Sequence, residues 1–160
     1  MSVSGALVGL ARRLARYRVT VVLARTVIVP ADRLVARLSR GRLVTFGLKQ
    51  LPSLLLTTTG RRSGEPRTVP LLYLPDGETF VVIGSNFGQQ AHPAWSSNLL
   101  ANPEATVMVH GTATAVRAHL AEGAERDHLL TALKTVWPAY SSYETWAGER
   151  TLRIFRLTPR

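Results

Sequence analysis

The chain has 160 residues, 46% of them hydrophobic, with no cysteine and 20 Lys/Arg against 10 Asp/Glu. This length and apolar content support one domain with its own core, and the cysteine count excludes disulfides, thiol chemistry and Cys-based metal sites. The net charge of +10 is concentrated at one end, because residues 1–50 hold ten Lys/Arg and the single acid Asp32, while the remainder is close to neutral. A basic half of this kind points to nucleic acid or an anionic membrane surface, depending on how the charges are arranged.

In chain order, Ala6, Leu7, Leu10, Leu14 and Tyr17 recur at three- and four-residue steps with Arg12, Arg13, Arg16 and Arg18 between them. That spacing predicts an amphipathic helix over 5–17. The stretch 19–29, VTVVLARTVIV, is interrupted by Arg25 and too short to span a bilayer, and no secretory cleavage pattern follows it. Pro30 opens a second predicted helix over 32–40 that Gly41 ends. Residues 1–40 thus read as a basic amphipathic arm ahead of a domain of residues 41–160. Either the arm attaches reversibly to an acidic membrane face, or it packs on the domain with its arginines in water. Specific nucleic-acid recognition lacks its usual signs, a turn with a recognition helix or aromatics interleaved with the charges.

Beyond the arm the pattern is β, with strands predicted at 43–48, 54–59, 68–74, 79–84, 105–110, 112–121 and 152–157, and a hairpin turn at Pro75-Asp76-Gly77. Helices are predicted at 93–101 and 122–137, the second with Leu129, Leu130, Leu133 and Val136 on one face. The fold class is mainly β with peripheral helices (α+β), a small barrel of six or seven antiparallel strands.

Candidate chemistry starts between the second and third predicted strands, where Gly60 and Gly64 flank Arg61, Arg62 and Ser63, with Pro66 and Arg67 following. Turn amides, a hydroxyl and planar cationic forks make a cradle for phosphate or carboxylate; the alternative is a solvated hairpin tip. The spacing is not that of a Walker A loop. His92, His110, His119 and His128 lack metal-ligand spacing, and no GxSxG or HExxH occurs, so an enzyme built on this chain would take its hard chemistry from a bound cofactor. Gly84-Ser85-Asn86-Phe87-Gly88 either lets a flat ligand approach the backbone or is a plain loop. Trp137, Tyr140, Tyr143 and Trp146 stand at steps of three, which suits a substrate-facing wall or a helix packed on the barrel.

The ordered runs LLLTTTGRRSGEPRTVPLLY, GSNFG, HPAWSSNLLANPEATVMV, AEGAERDHLL, YSSYETW and IFRLTP cover about residues 40–159. Together they resemble the deazaflavin-dependent nitroreductase and quinone reductase family, split β-barrel proteins of the FMN-binding-like class that bind coenzyme F-420. The resemblance implies an oxidoreductase that passes a hydride from the reduced deazaflavin to a quinone, enone or nitroaromatic acceptor. It implies that Arg61, Arg62, Ser63, Gly64, Arg67 and Pro70 bind the cofactor, the arginines at its phosphate and acidic tail. Ser85 and Asn86 would lie near the ring, and Pro93, Trp95 and Asn98 would shape the cofactor channel.

On the acceptor side the family's three tyrosines fall on Trp137, Tyr140 and Tyr143, with Trp146 beyond them, and a further family tyrosine falls on Leu72. Tyr73 is adjacent but points to the opposite strand face. Tyr140, Tyr143 and Ser85 are the candidate proton-delivering residues. The departures at Leu72 and Trp137 leave fewer hydroxyl donors to orient a nitro group. FMN as cofactor, or a non-catalytic deazaflavin or lipid carrier, are the alternatives. Some family members associate with membranes through the N-terminal helix, which implies a cytoplasmic or peripheral inner-membrane location; a homodimer is compatible with the pattern. Deleting residues 1–39 is expected to reduce cosedimentation with anionic vesicles, and pelleting that persists would make the arm structural.

Overall fold

In the computed structural model, which describes residues 9, 10, 13, 14, 17 and 51–160, six antiparallel strands close into a barrel. They are β1 (Ser53–Thr59), β2 (Pro66–Asp76), β3 (Thr79–Ile83), β4 (Glu104–Val109), β5 (Thr112–Leu120) and β6 (Ile154–Pro159). Their order around the barrel is β1-β2-β3-β6-β5-β4, and β4 returns to pair with β1. Within residues 51–160 lie α1 (Ala94–Ala101), α2 (Gly123–Val136), α3 (Tyr140–Ala147) and a 3₁₀ turn at Asn86–Gly88. The expected antiparallel barrel is present. The strand expected at 43–48, the helix at 32–40 and the division at residue 40 lie outside the described residues, while Gly9, Leu10, Arg13 and Leu14 of the first arm helix are helical.

β2 is longer at both ends than its apolar pattern suggested, because Pro66, Pro70 and Pro75 are tolerated inside it. Residues 66–72 pair with β1 and residues 73–76 pair with β3. Each proline therefore sits on a stretch paired along one side only, where a missing N–H need not remove a ladder bond. The hairpin turn shifts accordingly: Asp76 pairs with Thr79, and Pro75 and Asp76 belong to the strand. β6 starts two residues later than expected, since Leu152 is buried in the helix-side core and pairing begins where Ile154 meets Ile83.

Alternate residues of the strands feed two cores. Leu54, Leu56, Val82, Val107, Val116, Phe155 and Leu157 form one cluster, closed by Trp95 and Leu99 of α1. Val81, Ile83 and Ile154 point the other way and meet Leu129, Leu130 and Leu133 of α2 and the aromatic residues of α3. Both faces of β3 are thus buried, which explains why Phe80-Val81-Val82-Ile83 reads as a continuous apolar run. Arg156 secures the outer layer by pairing with Glu125 of α2 at 3.0 Å and with Asp76 at the end of β2. Leu133→Ala is expected to cost about 2–5 kcal/mol, read as a lowered Tm, because it empties the middle of the α2 interface.

Candidate active site

The β1–β2 turn is closed by Gly64 N–H to Gly60 O at 2.7 Å and Gly60 N–H to Glu65 O at 2.8 Å. A Cβ on Gly60 would stand 2.7 Å from Ser63 Oγ and 3.1 Å from Glu65 O, so a side chain there would displace the Ser63 hydroxyl and crowd the turn backbone. The turn is also held from behind. Arg61 N–H donates to Asn98 Oδ1 at 3.1 Å, and Asn98 Nδ2 donates to Thr58 Oγ1 at 3.0 Å. Asn98 and Thr58 are both buried, so this polar pair is satisfied within the protein and fixes the turn to α1. Ser63 Oγ accepts from Glu65 N–H at 3.3 Å and from Arg67 Nη2 at 3.5 Å. Residues 61–68 are exposed, and among the described residues Arg61, Arg62 and Arg67 form no ion pair. Three unneutralised arginines on one exposed turn, one of them reaching the Ser63 hydroxyl, are a donor set suited to phosphate and carboxylate.

A second loop leaves the end of β3. Asn86 and Phe87 adopt left-handed backbone angles, with φ of 46° and 55°, which non-glycine residues rarely do. Asn86 Nδ2 donates to Ala91 O at 2.8 Å, and Gln89 Nε2 donates to Asn86 O and Oδ1, both at 3.2 Å. Gly88 has φ of 73°, and a Cβ there would lie 2.8 Å from Trp146 Cβ and 3.1 Å from Tyr143 Cα. Only glycine lets this loop lie directly on α3. The loop's other anchor is Arg150, whose Nε donates to Gln89 O (2.7 Å), Nη1 to Gly84 O (2.9 Å) and Nη2 to Ser85 O (2.7 Å). Sequence reasoning missed this residue. In Gly148-Glu149-Arg150-Thr151 an arginine looks like any solvated surface charge, and only the return of β6 beside β3 brings it beneath the loop.

The aromatic stripe resolves into a helix packed on the barrel. Trp137, Tyr140 and Tyr143 are buried, and Leu72, Phe87 and Trp146 pack against the same cluster from partly exposed positions. Tyr143 is central, with ring centroids 6.0 Å from Tyr140, 5.6 Å from Trp146 and 6.1 Å from Phe87. Trp137 Nε1–H donates to Tyr143 Oη at 3.5 Å. Leu72 packs against the cluster that contains the aromatic segment, and Tyr73 belongs to the opposite cluster, 5.5 Å from the Phe80 ring. Burial pushes the Tyr140 phenol above its ordinary range, with Tyr143 adding to the effect. Burial also raises Tyr143, which the Trp137 hydrogen bond partly offsets. Both phenols stay protonated at neutral pH.

The remaining expected residues flank these loops. Pro70 is half-buried opposite Leu55 in the β1–β2 ladder, and Pro93 caps α1 beside Gly84. Trp95 is buried in the first core, 5.9 Å from the Phe155 ring, where it acts as filler. His92 lies 3.5 Å from Arg150, and burial, then Arg153 and Arg150, hold its pKa below the ordinary histidine value. Among the described residues no group of three or more His, Asp or Glu gathers as a metal site would require, and no helix is long and apolar enough to cross a membrane.

A closed six-stranded barrel with an arginine turn at one hairpin and an aromatic helix on its outer face defines a split-barrel protein of the cofactor-binding class. The structure described as an F420-H2 dependent reductase, FDR-A, superposes with a TM-score of 0.61 at 32% identity, covering 66% of this chain and 93% of that one. A structure described as a domain-swapped dimer matches at 0.63 with 30% identity, over 80% of this chain and 98% of that one. The heme storage protein HutZ of Vibrio cholerae, at 14% identity and a TM-score of 0.51, shares the fold alone. In sequence, the Mycobacterium tuberculosis protein Rv3178, which carries the name of an F420H(2)-dependent quinone reductase, is 33% identical over 112 residues, 70% of this chain and 93% of its own. The family model described as F420H(2)-dependent quinone reductase matches residues 32–159, and the chain belongs to that family. It is a reductase dependent on coenzyme F-420, as the ordered motifs implied.

The two raised phenols set an alkaline limit to stability. The unfolded chain releases these protons near the ordinary tyrosine value of about pH 10, whereas the folded chain holds them to higher pH. Their stabilising contribution is complete below about pH 10 and is lost as pH rises above it. The Tm of the native protein is therefore expected to fall more steeply above about pH 10 than that of the Tyr140→Phe/Tyr143→Phe variant, followed by circular dichroism.

Proposed function

We propose that the β1–β2 turn holds the phosphate and acidic tail of coenzyme F-420, that the Ser85–Asn86 loop faces its ring, and that a quinone is received on the side of Leu72 and α3. The observation that carries this reading is the arginine turn: Arg61, Arg62 and Arg67 share one exposed turn without a carboxylate partner among the described residues, Arg67 reaching Ser63 Oγ, and the turn is pinned through Asn98. A donor-only set of this kind fits a phosphate and a string of carboxylates.

When bound, the reduced deazaflavin supplies a hydride to a conjugated electrophile. The protein's own residues contribute position, dryness and protons. The arginines bind the anionic end and leave the β3 loop to orient the flat end. Leu72, Phe87 and Trp146 offer apolar surface that keeps water from the acceptor. Tyr140 and Tyr143 hold protons at Oη, and with Ser85 and solvent they are the available sources for the proton a reduced quinone takes up. Enones and nitroaromatics share the electrophilic conjugation, but the apolar Leu72 and the indole of Trp137 favour a quinone over a nitro group.

The proposal extends to residues 1–40 as a contact with an anionic membrane, where apolar quinones partition. Leu10, Leu14 and Tyr17 are 52%, 40% and 64% exposed along one helical spacing, with Arg13 among them, which supports this reading. A homodimer is a supported assembly, given the related structure described as a domain-swapped dimer. Replacing Arg62 and Arg67 by Ala is expected to weaken coenzyme binding more than tenfold, about 1.5–3 kcal/mol for lost charge-assisted hydrogen bonds, measured by deazaflavin fluorescence titration. Unchanged affinity would detach the turn from the cofactor, and tighter binding of FMN than of the deazaflavin would overturn the cofactor assignment.

A further inference from the structure

We infer that Arg150 is a positioning residue for hydride transfer, locking the loop at residues 84–89 to the end of α3 so that the coenzyme side and the acceptor side of the site form one rigid unit. This rests on the reading that the Ser85–Asn86 loop faces the deazaflavin ring.

The geometry is that of a strut. At one end, the Arg150 backbone N–H donates to Ala147 O at 3.3 Å, tying the residue to the last turn of α3. At the other, its guanidinium spans three carbonyls, Gly84 O, Ser85 O and Gln89 O, at 2.7–2.9 Å. These carbonyls bracket the segment in which Asn86 and Phe87 are held in left-handed conformations. Such a backbone persists only where its surroundings over-determine it. The planar fork of arginine reaches three divergent acceptors at once, which a lysine ammonium on a flexible stem does not reproduce.

The arrangement is also an unusual use of a cation. Among the described residues Arg150 has no carboxylate within ion-pair distance, and it is half-buried with Arg153 close enough to disfavour its charge. A partly buried guanidinium committed to main-chain carbonyls serves geometry more than charge balance. The helix meets the same loop a second time, where Gly88 lies against Tyr143 and Trp146 with no room for a Cβ. With one contact on the helix face and one at its end, the loop's angle relative to α3 is set. Releasing one contact lets the loop pivot about the other, and hydride transfer is sensitive to displacements of about 1 Å.

The test compares Arg150→Ala, Arg150→Lys and Asn86→Ala in the full chain. Coenzyme affinity is read by deazaflavin fluorescence, kcat and KM with a menaquinone analogue, and folding by Tm and circular dichroism. Arg150→Ala is expected to weaken coenzyme binding and lower kcat by about tenfold or more each, with Arg150→Lys no better than partial. Millimolar guanidinium is expected to restore part of both in Arg150→Ala while leaving the native protein and Arg150→Lys unchanged. A merely stabilising side chain would lower Tm without such rescue at temperatures where the variant is fully folded. Should Arg150→Ala fail to fold, Arg150→Lys retains the stem and the charge and carries the same comparison of kcat against Tm. Affinity and kcat within about twofold of native in the folded variants would overturn the inference, as would a loss that guanidinium does not touch. If Asn86→Ala weakens binding and the Arg150 variants do not, Arg150's role falls and the site reading stands. If Asn86→Ala also leaves binding unchanged, the loop does not face the ring and both fall.

Discussion

Val81, Val82 and Ile83 are consecutive, and all three are buried. In a strand that can happen only if both faces are covered, since neighbouring side chains point to opposite sides. Most of the molecule answers that requirement. Val82 turns inward and is met by residues from the other strands of a closed barrel. Val81 and Ile83 turn outward and need the apolar side of α2 and the aromatic side of α3. The loop that leaves β3 therefore emerges beside α3 and nowhere else. The neighbourhood of the loop after β3 and the aromatic helix α3 is a consequence of burying one short strand twice.

Around that frame the same side-chain type does three different jobs. Arg156 is neutralised by Glu125 and Asp76 and joins α2 to the β2–β3 hairpin. Arg150 is spent on carbonyl oxygens and holds a loop in shape. Arg61, Arg62 and Arg67 stand at an exposed turn without carboxylate partners among the described residues. What separates the three is the partner at the guanidinium, and the partner is a property of the fold. In a reductase whose redox chemistry arrives with coenzyme F-420, holding and aiming are the tasks left to the protein.

Much of the barrel was legible along the chain because strands advertise themselves locally, through β-branched runs bounded by Gly and Pro. The strand ends were less so. β2 runs through prolines that ordinarily end a strand, and this became intelligible only once its two halves were seen to pair on different sides. The stripe from Trp137 to Trp146 allowed two readings that no spacing could separate, since a wall and a packed helix share the same period. The structure buries its tyrosines and leaves Trp146 and Leu72 at the margin. Trp95 is buried against Phe155, a partner 60 residues away that no local spacing reveals.

By itself, then, the sequence determined the elements, the arginine turn between two strands and the family, because each depends on residues close together in the chain or on motifs recurring in order. Tertiary structure alone decided which polar groups are already satisfied and which remain free for a ligand. Asn98 is used up behind the turn by Thr58 and Arg61, 40 and 37 residues away, and Arg150 beneath a loop more than 60 residues earlier. The physical reason is that a hydrogen bond requires contact, and contact across such distances exists only after the barrel has closed.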